Sequence, residues 1–269
     1  MNDISFLLTL QNQLLPAVYE VGDFMRNAQK SFTTDQIESK GAAGLVSYVD
    51  KTAEAMLMKK CSELLPDAGF INEETGVHES DSPYIWIIDP LDGTTNFVHG
   101  FPIYSISIGL QHEKELVLGI VYHVPNAEMF TAIKGNGAFL NGQKIKVSDT
   151  PDLANSLIAS GIARGYTDTA TTFIAILREM TTRSHGIRRS GSAAIDLVYV
   201  ACGRLEGYFE NRLSAWDIAG GAVILQEAGG KITDFSGGDN YLFGKELIAS
   251  NGKVHAEMRG IITQKLGTL

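Results

Sequence analysis

The stretch from Trp86 to Phe97, WIIDPLDGTTNF, constrains the chain more than any other. An apolar run with strand character leads directly into two carboxylates, Asp89 and Asp92, with a proline between them. Pro90 has no N–H to give a sheet ladder, so the strand is expected to end at Asp89. Asp92-Gly93-Thr94-Thr95 then reads as an N-cap opening a helix. Both side chains and the Leu91 carbonyl can converge on one point. Two carboxylates at that range share either a proton or cations, and oxygen ligands unaccompanied by His or Cys suit Mg²⁺, with Mn²⁺ as a possible substitute. A helix start beside them would aim backbone N–H groups at an anion, and cations next to an anion hole suggest phosphate. The plainer alternative is that Asp89 caps a turn and Asp92 caps a helix, with no chemistry.

Three further acid sites shift the balance. INEET puts Glu73 and Glu74 at the end of another apolar strand, LVSYVD ends on Asp50, and LSAWDIAGG puts Asp217 in the first turn of a helix. Each lies at an element boundary. Glu73 is the stronger ligand of its pair, Glu74 reading as a solvated acid, while Asp217 could simply favour the helix dipole with Ser214 as N-cap. A nucleophilic aspartate of the haloacid-dehalogenase type requires its two acids in a DxD register. Here Pro90 and Leu91 both intervene, so water activated by metal is the expected attacking group.

Around this motif the chain reads as two halves with no long linker. Helical periodicity covers roughly 3–30 and 50–65, and hairpin-connected strands fill the remainder up to about residue 150. From 151 to 269 strand and helix alternate, which favours a layered α/β arrangement. The expected domains are thus an N-terminal α+β half, 1–150, carrying most metal ligands, and a C-terminal α/β half, 151–269, carrying substrate-binding residues and one ligand, within one compact unit. At 269 residues with 44% hydrophobic and 20% charged positions, such a unit can bury a large core. Its apolar runs fall short of the ~20 residues of a spanning helix, so no membrane partner is expected. The net charge of −9 argues against direct nucleic-acid binding. Cys61 and Cys202 lack any metal-ligand spacing, which fits a reducing, cytoplasmic setting.

Taken together, NEET, WIIDPLDGTTNFVHGFPIYSISIGL, RSGSAAIDLVYVACGRLEGYFE and WDIAGGAVILQEAGG resemble the inositol monophosphatase family in order and spacing, from about Lys40 to Gly230. The resemblance implies an αβαβα sandwich, commonly homodimeric, with Mg²⁺-dependent, Li⁺-sensitive hydrolysis of a small-molecule phosphomonoester. It also implies roles. Glu73, Asp89 and the Leu91 carbonyl would hold a first metal, and Asp89, Asp92 and Asp217 a second. A weaker third ion would lean on Glu73 and, through water, on Asp50. Asp50 and Thr94 would orient and deprotonate the attacking water, with the Gly93, Thr94 and Thr95 amides facing the phosphate. Gly191, Ser192, Ala193 and Glu210, with Asp92 and Asp217, would contact the rest of the substrate. His78, His99 and His112 read as surface or packing residues, and Trp86 and Trp216 as walls.

The chain departs from the family pattern at Asn72 and Gly44, where Gly and Asp are common. Gly41 and Gly44 beside Lys40 suggest a lid. DGTTNF favours myo-inositol 1-phosphate as substrate. Histidinol phosphate, fructose 1,6-bisphosphate and 3′-phosphoadenosine 5′-phosphate stand as alternatives, as does a binding role on the transcription and translation machinery.

Overall fold

The structure, a computed structural model, describes residues 3–33, 37–39, 45–161 and 170–267. The Lys40 to Gly44 lid expectation lies outside the described residues.

Five layers stack in the order helix, sheet, helix, sheet, helix. The outer pair is α1 (Ile4–Lys30) and α2 (Tyr48–Leu64), with the short hairpin β1 (Ile37–Ser39) and β2 (Leu45–Ser47) leading into α2. The first sheet has eight strands: β3 (Gly69–Asn72), β4 (Gly76–His78), β5 (Tyr84–Asp92), β6 (Ser105–His112), β7 (Glu115–His123), β8 (Glu128–Ile133), β9 (Gly137–Leu140) and β10 (Gln143–Ile145). It is antiparallel throughout except that β3 runs parallel to β5. A five-residue helix, α3 (Thr94–Val98), follows β5. The middle layer is α5 (Ala193–Ala201) and α6 (Ala215–Glu227). The second sheet, ordered β12-β11-β13-β15-β14, contains β11 (Ile158–Ser160), β12 (Ile187–Arg188), β13 (Gly207–Asn211), β14 (Lys231–Thr233) and β15 (Glu246–Ser250). Helices α4 (Ala170–Arg183) and α7 (His255–Leu266) cover its far face.

Three large cores follow from this stacking. Leu7, Leu14, Val18, Val21 and Met25, spaced along one side of α1, pack with Leu57 of α2 on Trp86, Ile88 and Ile108 of the first sheet. The middle helices bury Leu197, Val198, Ile218 and Ile224 with Tyr208 and Leu247 of the second sheet. Ile176, Met180, Met258 and Ile262 seal the outer face. Helix α6 packs closely on the first sheet because three facing positions, Gly109, Gly119 and Gly220, lack side chains. A Cβ on Gly119 would sit 2.3 Å from the Gly220 carbonyl, and one on Gly220 would sit 2.9 Å from the Ile108 and Ile120 carbonyls. That close approach carries the start of α6, and with it Asp217, down onto the end of β5.

Candidate metal and phosphate site

The strand β5 does not stop at Asp89; it continues to Asp92 through a bulge. Asp89 pairs with Ser107 and Asp92 with Ser105, so three steps on β5 oppose two on β6. In a regular strand residues three apart face opposite sides. The extra residue at Pro90-Leu91 restores the phase, and both carboxylates emerge on the side of the middle helices. The packing agrees: Trp86, Ile88 and Leu91 join the α1/α2 core, while Ile87 packs on Ala215 and Ala219 of α6. The Asp89 carboxylate also accepts from the Leu91 amide at 2.9 Å, which fixes the turn.

Asp92 does not cap the helix that follows it. Gly93, at φ 96°, is the N-cap of α3 and offers no side chain. Asp92 instead reaches across to the middle layer. Its Oδ2 accepts from the Ser192 hydroxyl at 2.6 Å and the Ala194 amide at 2.8 Å, so it caps α5, to which it is not joined in sequence. Ser192 is itself the N-cap of α5, and Ala193 begins the helix behind it. Gly191 rests against the Asn96 side chain. Asn96 donates to the carbonyls of Ile103 (2.7 Å) and Ser190 (2.8 Å), tying the loop before β6 to the loop before α5.

Asp217 arrives from α6. The Ser214 amide donates to its carboxylate at 2.6 Å, the favourable helix-start arrangement anticipated from sequence. It nevertheless points one oxygen at the others: ligand atoms of Asp89, Asp92 and Asp217 lie within 4.8 Å of one another. Glu73 follows β3, its amide bonded to the Ile88 carbonyl at 3.2 Å, and its carboxyl hydrogen-bonds Asp89 without joining that three-acid set.

Asp50 lies inside the first turn of α2 rather than at the end of a strand. Its Oδ2 accepts from the Ser47 amide (2.8 Å) and hydroxyl (2.7 Å), completing a capping box, while Oδ1 accepts from the Thr94 hydroxyl at 3.0 Å. The Thr94 hydroxyl is also 3.1 Å from the Leu91 carbonyl. Glu210 is the penultimate residue of β13, not its end, and accepts from the buried Tyr208 hydroxyl at 2.7 Å. Gly161 makes room for it, since a Cβ there would overlap the Glu210 carboxylate. His78 bonds Thr75 and His112 stacks on Tyr84, as surface or packing residues would; Trp86, expected to wall the site, is instead fully buried in the α1/α2 core on the opposite face of the sheet from the acids.

The electrostatics follow from burial. Asp89 is raised well above the usual carboxylate range, first by desolvation and then by the charges of Glu73, Asp92 and Asp217. Desolvation lifts Asp92 to about 6 despite the hydrogen bonds from Ser192 and the α5 amides. Asp217 is raised for the same reasons, burial first and Asp92 next, against the opposing Ser214 amide. Burial raises Asp50 too, and its Ser47 and Thr94 bonds act in the other direction. Glu210 is pushed up to about 7, chiefly by burial. Such crowding of hard oxygen donors fits divalent cations, which would relieve the mutual repulsion that burial amplifies.

Residues 8–266 match the inositol monophosphatase family. The chain belongs to that family. It is 37% identical over 246 residues to an inositol-1-monophosphatase of Mesorhizobium japonicum, covering 90% of this chain and 91% of that one. It is also 40% identical over 225 residues to the Nus factor SuhB of Salmonella typhimurium, covering 82% and 84%. The crystal structure of the Bartonella henselae extragenic suppressor protein suhB superposes with a TM-score of 0.91 at 35% identity, covering 95% of this chain and 99% of that one. The αβαβα stacking is thus the inositol monophosphatase fold, as the motifs implied.

Sequence reasoning did not single out Asn96, Asp196, Tyr208, Gly161 or Glu54. Asp196 is buried on α5 behind Ser190 and is raised well above the carboxylate range by desolvation, with Glu210 and Asp92 adding to it. Only the Asp at the fourth position after Ser192 hinted at it, with no partner evident from spacing.

Proposed function

We propose that the chain is a Mg²⁺-dependent phosphomonoesterase, with myo-inositol 1-phosphate as its leading substrate. The observation that carries this reading is the convergence of Asp89 and Asp92 from β5 and Asp217 from α6 onto one point, beside the Asp50–Thr94 pair. Glu73, Asp89 and the Leu91 carbonyl would hold one ion, Asp89, Asp92 and Asp217 a second, and a third would lean on Glu73 and Asp50. Mg²⁺, when bound, supplies positive charge that polarises the phosphoryl group and acidifies water, and Mn²⁺ has the same ligand preference.

The chain's own groups would do the rest. Thr94 donates its proton to Asp50 Oδ1, which turns an oxygen lone pair toward the attacking water. As that water loses its proton to Thr94 Oγ1, the threonine proton passes to Asp50, whose burial-raised affinity suits it to receive one. Gly93, Thr94 and Thr95 would face the phosphate through their amides. Glu210, held by Tyr208, is acceptor chemistry for a substrate hydroxyl, with Gly191, Ser192 and Ala193 lining the same wall. Asp217 would hold the water that reprotonates the leaving oxygen. The name of the Mesorhizobium relative supports the inositol ester over histidinol phosphate, fructose 1,6-bisphosphate and 3′-phosphoadenosine 5′-phosphate. The family resemblance adds Li⁺ sensitivity and homodimeric assembly. A cytoplasmic location accords with both cysteines being free, and no helix among the described residues is long and apolar enough to cross a membrane.

The test is phosphate release from a panel of phosphomonoesters with Mg²⁺, with chelator and with Li⁺. Release from the inositol ester that needs Mg²⁺ and falls with Li⁺ is expected; no release from any ester overturns the reading. A second reading, a regulatory role on the transcription and translation machinery, is favoured by the SuhB-named relative. Glu73→Gln and Asp92→Asn separate the two, because a regulatory role would survive the loss of phosphate release in cells.

A further inference from the structure

Glu54 is a buried acid that the chemistry above does not use. It lies on α2, one turn after Asp50, so the two carboxylates leave the same side of the helix. It is only 1% exposed. Its two oxygens accept from successive backbone amides of the NEET loop, Oε2 from Glu74 at 2.8 Å and Oε1 from Thr75 at 2.9 Å. A second contact pins the same loop, since Asn72 donates to the Thr75 hydroxyl at 3.2 Å. On its other side the Glu73 amide meets the Ile88 carbonyl at 3.2 Å. Glu73 is therefore held between β5 and Glu54.

We infer that Glu54 is a positioning residue: by binding the amides that follow Glu73, it sets where the Glu73 carboxylate stands relative to Asp89. The inference rests on the metal-site reading above. One face of α2 would then govern both sides of the chemistry, Asp50 through the Thr94 hydroxyl and Glu54 through the backbone behind Glu73. A carboxylate is suited to this task because it can accept two N–H donors at once. An amide in its place offers one acceptor and turns its NH₂ toward the second N–H.

Glu206 provides a matched comparison remote in sequence. It is also buried and also accepts from a backbone amide, that of Leu157 at 2.7 Å, and from the Thr150 hydroxyl, but it belongs to the second sheet's flank. The experiment titrates the full chain with Mn²⁺ and reads free Mn²⁺ by electron paramagnetic resonance. It compares wild type, Glu54→Gln, Glu54→Asp and Glu206→Gln. Loss of a ligand's support typically weakens metal binding by about 10–100-fold. Glu54→Gln is expected to weaken the tightest Mn²⁺ site about tenfold or more. Glu54→Asp keeps the charge but falls a methylene short, and should weaken it in the same direction. Glu206→Gln should stay within about twofold of wild type. In parallel, the Mg²⁺ concentration for half-maximal phosphate release should rise with Glu54→Gln, while KM at saturating Mg²⁺ stays within about twofold. Wild-type Mn²⁺ affinity in both Glu54 variants, or an equal loss in Glu206→Gln, overturns the positioning role. A wild-type chain that binds no Mn²⁺ overturns the metal-site reading itself.

Discussion

The two walls of the site are built differently. On one wall, Glu73, Asp89, Asp92 and Thr94 sit at the ends of adjacent strands of one sheet, and local backbone features aim them: a bulge, a turn amide, a glycine N-cap. On the other, Ser192, Glu210 and Asp217 come from two helix starts and a strand of the second sheet, and they meet the first wall across the interface between layers, where Ser192 and the Ala194 amide donate to Asp92. The first wall is a local construction and the second a tertiary one. The chemistry follows the same division. The strand-end wall holds the acids that would take the metals and the Asp50–Thr94 pair, while the helix-start wall closes the cluster with Asp217 and adds a polyol-type acceptor in Glu210.

On this division the largest effects belong to Asp89, the strand-end acid that both proposed metals would share. Asp89→Asn should lower phosphate release by roughly three orders of magnitude or more, since a charged ligand central to the cluster is lost. A loss below about tenfold would mean that the metals do not share Asp89. Thr94→Ala, which removes the hydroxyl donated to Asp50, should reduce kcat by about 10²–10³-fold with little change in KM. Glu210→Gln and Tyr208→Phe test the opposite wall. Each should act on KM, by roughly tenfold and threefold respectively, more than on kcat. A kcat-dominated effect there would assign the second wall to chemistry rather than recognition.

A smaller effect concerns stability. Asp92 titrates at about 6 and Glu210 at about 7 in the folded chain, both above their ordinary range. The fold therefore binds protons that the unfolded chain has released, and the associated stability is present at low pH and lost as pH rises through 6 and 7. Chelator-treated protein should melt at progressively lower temperature between pH 5 and pH 8, by about a few degrees, and Mg²⁺ should restore the loss most at the alkaline end. A melting temperature that rises over the same interval would contradict the crowding of these acids. Asn96→Ala should likewise act on stability, costing about 1–3 kcal/mol in chemical denaturation by leaving the Ile103 and Ser190 carbonyls unpaired.

The same contrast explains what could be read from the residues. Asp89, Asp92, Glu73, Asp50 and Asp217 announce themselves because each stands where a periodic apolar run breaks, and Pro90 and Gly93 mark the break between β5 and α3. The long helix α1 and the hairpin strands β6 to β8 are equally plain from their spacing. The strand's continuation past Asp89 was not, because a bulge depends on pairing with Ser105 and Ser107. Nor was it legible that Asp92 caps α5, a helix 100 residues away in sequence. The Asn141-Gly142 turn joins β9 to β10 as a hairpin, while β4 and α3 are too short for periodicity to reveal. Glu54 and Asp196 lie within helical patterns where an acid looks like surface, and only burial by neighbouring layers distinguishes them.

Diffraction from crystals soaked in Mn²⁺, recorded at the manganese absorption edge, tests most directly whether the two walls share cations. Anomalous peaks bounded by Asp89, Asp92 and Asp217, with a further peak against Glu73, are the predicted result. An absence of anomalous density among these carboxylates at saturating Mn²⁺, or peaks confined to other surface acids, would contradict it.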